Sequence, residues 1–228
     1  MSLITKRLAT IRQQLPAQVR LIAVTKQVSV EAMREAYDAG VRDFGESKVQ
    51  EAQAKVAHLG ELPDLNWHYI GHLQANKAKK ALELFQWIHT CDSLKLAQRL
   101  NRLAIELSLQ PQVCLQVKVV PDPNKFGWAI PELLPDLAEL NQCDALKIQG
   151  LMTILPSGLS EPESLAVFER TRELAQKIRE QSWSNLQMQE LSMGMSEDYP
   201  LAVQAGATMV RLGRIIFGER TKGEGLVP

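Results

Sequence analysis

The stretch RLIAVTKQVS, residues 20–29, sets the pattern that the rest of the chain repeats. It begins with strand-forming residues, reaches Lys26 where the apolar run ends, and passes at Ser29 into helix-forming residues. Seven further runs of the strand type follow, with helical stretches between them, at residues 41–45, 67–71, 86–90, 112–120, 146–152, 186–192 and 207–213. The sequence therefore predicts eight strands that alternate with helices.

This alternation predicts parallel strands joined by right-handed crossovers. Eight such units fit a (β/α)8 barrel of the TIM type better than an open doubly wound sheet, which usually has fewer strands. An extra amphipathic helix precedes the first strand, because Leu8, Ile11 and Leu15 recur at helical spacing. No linker divides the chain, so we expect one α/β domain over residues 1–228.

The composition excludes some classes of partner. The 228 residues include 26 basic and 26 acidic side chains, so no net charge favours nucleic acid or a membrane surface. No apolar run approaches the roughly 20 residues that cross a bilayer, and the N-terminus lacks the apolar core of a signal peptide. We expect a cytoplasmic protein. Its three cysteines lack CxxC spacing and are interpreted as buried thiols.

The end of the first strand is the first candidate site. Active sites of such barrels lie at the C-terminal ends of the strands. Lys26 follows the first strand directly, so its amine would reach the barrel mouth, where it can form a Schiff base. The alternative is a lysine that extends into solvent, as most lysines at strand ends do.

The loops after the last two strands are the usual place for a phosphate in these barrels. Here they contain LSMGMSEDY and VRLGRIIFGE. Ser192, Ser196 and the backbone amides around Gly213 and Arg214 can hold a phosphate dianion through aligned N–H groups. Alternatively, the glycines of these loops only make turns.

A charged residue inside the last predicted strand needs a partner. The guanidinium of Arg211 is costly there unless it faces a polar ligand or an acid, and an ion pair with Glu190 or Asp43 is the alternative. A reactive lysine, a phosphate seat and an arginine together suggest pyridoxal 5′-phosphate (PLP), whose aldehyde, phosphate and pyridine nitrogen need those three contacts.

Several motifs run nearly from end to end of the chain: AVTK (23–26), FGE (44–46), VQE (49–51), HYIGHLQANK (68–77), KFG (125–127), GLM (150–152) and MGMSEDYPLAVQAGATMVRLGRIIFGER (193–220). They closely resemble the pyridoxal phosphate homeostasis protein family. That family is similar in turn to the barrel domain of alanine racemase. The resemblance implies a single (β/α)8 domain that holds PLP covalently.

The resemblance also assigns roles to residues. It implies that Lys26 forms the Schiff base, that Ser196 and the amides of Gly213 and Arg214 hold the phosphate, and that Arg211 meets the pyridine nitrogen. The chain departs from the family pattern at two places. Ser47 and Lys48 replace the usual Asn and Tyr, so a contact from Ser47 would be shorter and water-mediated. Lys118 and Asp122 leave the role of the 118–125 loop open.

An arginine at the pyridine nitrogen bears on the function. Arginine cannot accept a hydrogen bond, so the ring nitrogen should stay unprotonated, which weakens the ring as an electron sink and argues against a transaminase. The first hypothesis is a carrier of PLP in vitamin B6 and amino-acid homeostasis. The alternative is a small monomeric racemase that uses Lys26 and a second base such as Tyr199, His72 or a water.

Three further expectations concern the second domain, partners and metals. Alanine racemases take their second base from a C-terminal domain, and this chain ends at Pro228, which favours the carrier. We expect a monomer with PLP-dependent apo-enzymes as recipients, or an interaction protein whose occupancy signals vitamin B6 status. His68 and His72 are four residues apart but straddle a strand end, so no metal site is expected.

Overall fold

The computed structural model describes residues 2–219. The other residues of the predicted 1–228 domain, including Arg220 of the last family motif, lie outside the described residues. Within 2–219 the strands are β1 (Arg20–Val24), β2 (Asp43–Glu46), β3 (Asn66–Tyr69), β4 (Trp87–Cys91), β5 (Gln112–Lys118), β6 (Trp128–Ala129), β7 (Lys147–Met152), β8 (Leu186–Ser192) and β9 (Met209–Leu212). The α-helices of the same range are α1 (Leu3–Gln14), α2 (Val30–Asp38), α3 (Val49–Leu59), α4 (Ala78–Leu84), α5 (Leu94–Leu107), α6 (Ile130–Asn141), α7 (Glu161–Arg179), α8 (Tyr199–Gln204) and α9 (Arg214–Phe217).

Eight of these strands close into a parallel barrel. They pair in the order β4-β3-β2-β1-β9-β8-β7-β5, and β4 pairs with β5 to complete the ring. The predicted (β/α)8 barrel is confirmed, and all eight predicted strands are present with ends that shift by at most two residues. Strand β6 was not predicted, because a two-residue strand beside the end of β5 has no periodicity to detect.

Side chains on the barrel strands alternate between two environments. Outward-facing residues such as Ala23 and Phe44 pack beneath the helices in the main core. Inward-facing residues form a smaller apolar cluster of Ile22, Trp87, Cys114, Met152 and Met209. Branched apolar residues usually dominate the interior of such a barrel. Here the interior also contains four buried polar side chains, those of His68, His89, Ser192 and Arg211.

The predicted N-terminal helix is confirmed as α1. Its apolar face buries Leu8 and Ile11. Arg7 donates a hydrogen bond from Nη1 to the carbonyl of Ile216 at 3.1 Å. This contact ties the first helix of the chain to α9, which follows the last barrel strand.

The three cysteines, Cys91, Cys114 and Cys143, are buried and free, as the sequence indicated. Burial raises the pKa of each thiol. Among the helices of residues 2–219, none combines the length and apolar character needed to cross a bilayer.

Two buried imidazoles make the stability of the barrel dependent on pH. Burial lowers the pKa of His68, although Asp43 opposes this. Burial lowers the pKa of His89 further, and the neighbouring His68, Arg211 and Arg20 add to that effect. Both rings therefore stay neutral in the folded protein at a pH where they take up protons in the unfolded chain.

We expect the free energy of unfolding to fall as the pH drops below about 6.5, because unfolding then binds protons. Each ring adds up to about 1.4 kcal/mol per pH unit to the slope of the free energy of unfolding against pH. Urea unfolding between roughly pH 7 and pH 5 measures the slope, which His89→Gln should reduce. The control His58→Gln, at an exposed ring, should keep it. A free energy of unfolding that stays constant over this range would contradict the assignment of neutral buried rings.

Candidate functional site

A cavity of about 390 Å³ opens at the C-terminal ends of the barrel strands. Its walls come from strand ends and from the loops after β8 and β9, and the lining residues are Val24, Lys26, Ser47, Ile70, Ile154, Met195, Ser196, Glu197, Asp198, Arg211, Gly213 and Arg214. Six of the seven predicted cofactor-binding residues are therefore brought together. The seventh, Ser192, is not among the lining residues.

The backbone around Lys26 is fixed on both sides. Lys26 is half-buried on the cavity wall. The amide of Thr25 donates to the carbonyl of Gly45 at 3.0 Å, which extends the pairing of β1 with β2 beyond Val24. Gln27 has a left-handed backbone conformation with φ of 60°, so the chain turns sharply after Lys26.

A buried lysine of α3 fastens this turn. The Lys55 ammonium donates to the carbonyl of Thr25 at 2.6 Å, to Glu46 Oε1 at 2.8 Å and to Glu51 Oε1 at 2.7 Å. Glu51 also accepts a hydrogen bond from the amide of Gln27. These contacts, which we call the Lys55 clamp, use all three N–H groups of the ammonium and hold both neighbours of Lys26 in the sequence.

The acidic partner of the clamp is completely buried. Thr25 Oγ1 donates to Glu46 Oε1 at 2.6 Å, whereas Oε2 has no hydrogen-bond partner among the described residues. Burial raises the pKa of Glu46, and the nearby Lys55 ammonium opposes this shift. Removing one member of such a pair leaves a buried charge without compensation.

Arg211 of β9 forms the floor of the cavity. Its side chain is buried, with Nη1 donating to Ser192 Oγ at 2.8 Å and Nη2 donating to the carbonyl of Thr153 at 2.9 Å. Burial lowers the pKa of Arg211 to about 10, and Asp198 opposes this effect. The guanidinium is therefore a cation at neutral pH, and it is held by neutral groups.

The two acids considered as structural partners of Arg211 have other contacts. Glu190 lies 4.0 Å from Arg20. Asp43 lies 2.9 Å from His68. The position of Arg211 on the cavity wall therefore favours a polar ligand over a structural ion pair.

The loop after β8 depends on a glycine. Gly194 has φ of +94°, and a Cβ there would lie 2.6 Å from the Cβ of Ala202. Its carbonyl accepts a hydrogen bond from the amide of Arg211 at 2.9 Å. Ser196 Oγ, two residues later, accepts one from the amide of Gly213 at 3.3 Å. Gly194 thus makes a turn, as the alternative interpretation held, and that turn places Ser196 beside Gly213.

The cavity favours an anion. Three basic residues line it, Lys26, Arg211 and Arg214, against two acidic ones, Glu197 and Asp198. Arg214 forms an ion pair with Glu197 at the rim. Burial raises the pKa of Asp198, which favours its neutral form. The balance of charge around the cavity is therefore positive.

Ser192 lies apart from the loops that line the cavity. Its side chain is completely buried, and Oγ contacts Arg211 Nη1 and His89 Nδ1, each at 2.8 Å. This position does not fit the direct contact with a phosphate that the sequence analysis expected. The reason is the alternation of β8, which turns Ser192 into the barrel interior while Ser196 reaches the cavity.

The two positions that depart from the family pattern differ in location. Ser47 is on the cavity wall, close against the end of β3, where a Cβ on Gly71 would lie 2.2 Å from the Ser47 carbonyl oxygen. Lys118 and Asp122 are not lining residues. Asp122 Oδ1 accepts a hydrogen bond from the amide of Asn124 at 2.8 Å, which stabilises a turn in the loop after β5.

The side chains considered as a second base for racemisation point elsewhere. The Tyr199 hydroxyl donates to Gln14 Oε1 of α1 at 2.9 Å. The His72 ring stacks on Phe126 with 3.5 Å between centroids and contacts Asp92 through Nδ1 at 2.9 Å. Neither residue lines the cavity. His68 points into the barrel, and no cluster suited to a metal occurs within residues 2–219.

Two supporting groups were not predicted from the sequence. Lys55 had no assigned role, and only its contacts with the buried Glu46, with Glu51 and with the Thr25 carbonyl identify it as a clamp. Asp198 stood in the motif after Ser196 but had no assigned role. For both residues the missing information was which side of a short element faces the barrel.

The Lys55 clamp gives a stability test. We expect Lys55→Met to lower the free energy of unfolding by about 3–5 kcal/mol, because Glu46 is left buried without its cation. The double variant Lys55→Met/Glu46→Gln should recover part of this loss, since the orphaned charge is gone. Urea unfolding followed by tryptophan fluorescence measures both. The control Lys79→Met, at an exposed helix position, should stay within about 0.5 kcal/mol of wild type. If Lys55→Met lowered the free energy of unfolding by only about 0.5 kcal/mol, the Lys55 clamp would be contradicted.

Comparison with known sequences identifies relatives along most of the chain. The family described as "Alanine racemase, N-terminal domain" matches residues 1–221. A pyridoxal phosphate homeostasis protein of Synechocystis sp. is 52% identical over 206 residues, which is 90% of this chain and 94% of that protein. One of Pseudomonas aeruginosa is 46% identical over 210 residues, which is 91% of this chain and 87% of that protein.

Comparison with solved structures agrees. PipY of Synechococcus elongatus without PLP superposes with a TM-score of 0.91 at 52% identity, covering 94% of this chain and all of that one. The PLP-bound form of PipY gives a TM-score of 0.90 at 51% identity. An alanine racemase of Clostridium difficile superposes with a TM-score of 0.74 at 16% identity. The match covers 97% of this chain and 57% of the racemase chain, and it shows a shared fold. Both the close sequence relatives and the close structural neighbours confirm the resemblance drawn from the motifs, and the chain belongs to the pyridoxal phosphate homeostasis protein family.

Proposed function

We propose that this chain binds PLP in the cavity above Arg211, holds it covalently on Lys26, and acts as a carrier in the homeostasis of the cofactor. The observation that carries the proposal is the meeting, in one cavity, of a lysine, a buried guanidinium and the Ser196–Gly213 loop contact. Relatives that are 46% and 52% identical are named for pyridoxal phosphate homeostasis, and PipY has a PLP-bound structure, which supports the same ligand here.

The residues present fit this ligand. The cavity of about 390 Å³ is within the range of small-molecule sites, about 300–1,000 Å³. The Lys26 amine would hold the cofactor through a C=N bond to its aldehyde carbon, with release of one water. Ser196 and the amides of Gly213 and Arg214 would hold the phosphate, while Ser47, which lines the cavity after β2, would contact the ligand.

Two features favour binding over turnover. A guanidinium that stays charged can only donate, so it favours an unprotonated pyridine nitrogen, which is a weak electron sink and argues against a transaminase. The Tyr199 and His72 side chains, which a racemase could use as a second base, contact Gln14 and Asp92 instead. Relatives at 46% and 52% identity are named as homeostasis proteins, and the alanine racemase match at 16% identity shows the fold alone.

Covalent attachment at Lys26 has a spectroscopic test. We expect wild-type protein mixed with PLP to show the visible absorption band of a Schiff base, and Lys26→Ala to show only the spectrum of the free aldehyde. Lys79→Ala, at an exposed lysine, is the matched control and should keep the band. The same band in Lys26→Ala and wild type would assign the covalent bond to another lysine.

The phosphate seat has its own test. We expect Ser196→Ala to weaken PLP binding about tenfold, the effect of losing one hydrogen bond to a charged group. Binding of pyridoxal, which has no phosphate, should not change with this variant. Titrations of both ligands against wild-type and Ser196→Ala protein make the comparison. An equal loss for the two ligands would place Ser196 away from the phosphate.

We further propose that the protein is a cytoplasmic monomer that delivers PLP to apo-enzymes. Light scattering should give the mass of a single chain. Loaded protein should activate a PLP-dependent apo-enzyme, and adding a phosphatase that destroys free PLP separates the routes. Activation that survives the phosphatase indicates direct transfer, whereas activation that is lost indicates release into solution. No activation in either case would contradict a role in delivery.

A further inference from the structure

A continuous line of hydrogen bonds crosses the barrel interior. Arg211 Nη1 lies 2.8 Å from Ser192 Oγ, which lies 2.8 Å from His89 Nδ1. His89 Nε2 lies 2.9 Å from His68 Nδ1, and His68 Nε2 lies 2.9 Å from Asp43 Oδ1. We call these five residues the interior relay. Since Asp43 is the first residue of β2, the relay runs from the N-terminal end of the barrel to the floor of the cavity.

The upper end of the interior relay fixes the direction of its hydrogen bonds. Arg211 can only donate, so Ser192 Oγ accepts from it. The Ser192 hydroxyl hydrogen then goes to its other contact, Nδ1 of His89. His89 Nδ1 is therefore an acceptor, and the neutral His89 ring carries its hydrogen on Nε2.

The lower end gives the same answer independently. An ionised Asp43 can only accept, so His68 must carry a hydrogen on Nε2. A neutral His68 then has a bare Nδ1, which accepts from the Nε2–H of His89. In the reverse direction His68 Nδ1 would donate to His89 Nε2, and the buried hydroxyl hydrogen of Ser192 would have no acceptor. His68 would then need either a second proton on Nε2 or a bare Nε2 whose lone pair faces the Asp43 carboxylate.

The burial of the relay supports neutral rings. Ser192, His68 and His89 are completely buried, and Arg211 is 4% exposed. Burial is the largest cause that lowers the pKa of both histidines. Trp87 covers one side of the His68 ring, with stacked centroids 5.6 Å apart. Little freedom is left for either ring to rotate or to take up a proton.

We propose that the hydrogen bonds of the interior relay run in one direction, and that its four lower members, Asp43, His68, His89 and Ser192, hold the Arg211 guanidinium in a fixed orientation toward the pyridine ring of the cofactor. The ligand in this statement rests on the proposed function, whereas the direction of the relay does not. Because Arg211 has no proton to release, the relay orients a donor and does not conduct protons. Its four lower members do not line the cavity, so they are positioning residues.

The direction of the relay can be measured on the wild-type protein without cofactor. The chain has four histidines, and His58→Gln and His72→Gln identify the signals of the two outer rings by difference. Nitrogen-15 NMR should show His68 and His89 with a pyridine-type shift at Nδ1 and a pyrrole-type shift at Nε2. A hydrogen on Nδ1 of either buried ring, or a doubly protonated ring near pH 7, would overturn the proposed direction.

The positioning role is tested by comparing PLP with its carbocyclic analogue, in which C–H replaces the ring nitrogen. We expect Ser192→Ala to weaken PLP binding about tenfold and to leave binding of the analogue nearly unchanged, since the analogue has no nitrogen for Arg211 to contact. An equal loss for both ligands would show a merely structural role and overturn the proposal.

The end of the relay offers a matched pair of variants. Asp43→Asn keeps an acceptor for His68, so it should retain the histidine signals and most of the PLP affinity, whereas Asp43→Leu should lose both. The exposed Asp38→Leu is the control and should behave as wild type. Unchanged NMR signals and affinity in Asp43→Leu would contradict the relay. If wild-type protein binds no PLP, the proposed function fails, and the NMR result still decides the direction of the relay.

Discussion

The site depends on one constraint, the closure of eight parallel strands into a ring. Parallel strands that close through the β4–β5 pairing present all their C-terminal ends on a single rim. Lys26 at the end of β1 and Arg211 in β9 are far apart in the chain, yet β1 and β9 are hydrogen-bonded neighbours. Ile22 pairs with Arg211, and Lys26 and Arg211 line the same cavity together with residues of the loop after β8.

Two buried polar systems support this rim from below. The Lys55 clamp joins β1, β2 and α3 and fixes the backbone on either side of Lys26. The interior relay occupies space that a typical barrel fills with branched apolar side chains, and it fixes the side chain of Arg211. Buried charges and imidazoles cost stability unless every contact is made. Their presence here is consistent with a site held in one geometry before any ligand arrives.

Much of this could be predicted from the sequence, because the strands are short apolar runs separated by helices with clear apolar faces. Lys26 and Arg211 could be singled out because a charged side chain at the end of an apolar strand, or inside one, is costly without a polar partner. Ser192 was expected beside a phosphate because it borders a glycine loop, but the alternation of β8 turns it into the interior, where it contacts Arg211.

The supporting systems were not predictable from the sequence. His68 was weighed only as half of a metal pair with His72, and His89 had no assigned role, because the interior relay depends on the register of five strands that only the folded barrel defines. Lys55 was hidden for a related reason, since helical periodicity does not show which charged residue turns toward a buried acid. Sequence pattern thus located the residues on the rim, and packing determined the residues that hold them.

The most direct measurement is to reduce PLP-loaded protein with borohydride and map the modified residue by mass spectrometry. Reduction makes the bond between cofactor and lysine permanent, so the modified peptide reports which amine formed it. We expect a single pyridoxyl group on Lys26, within the AVTKQVS segment. Modification of Lys48 or of Lys55, or protein that remains unmodified, would contradict it.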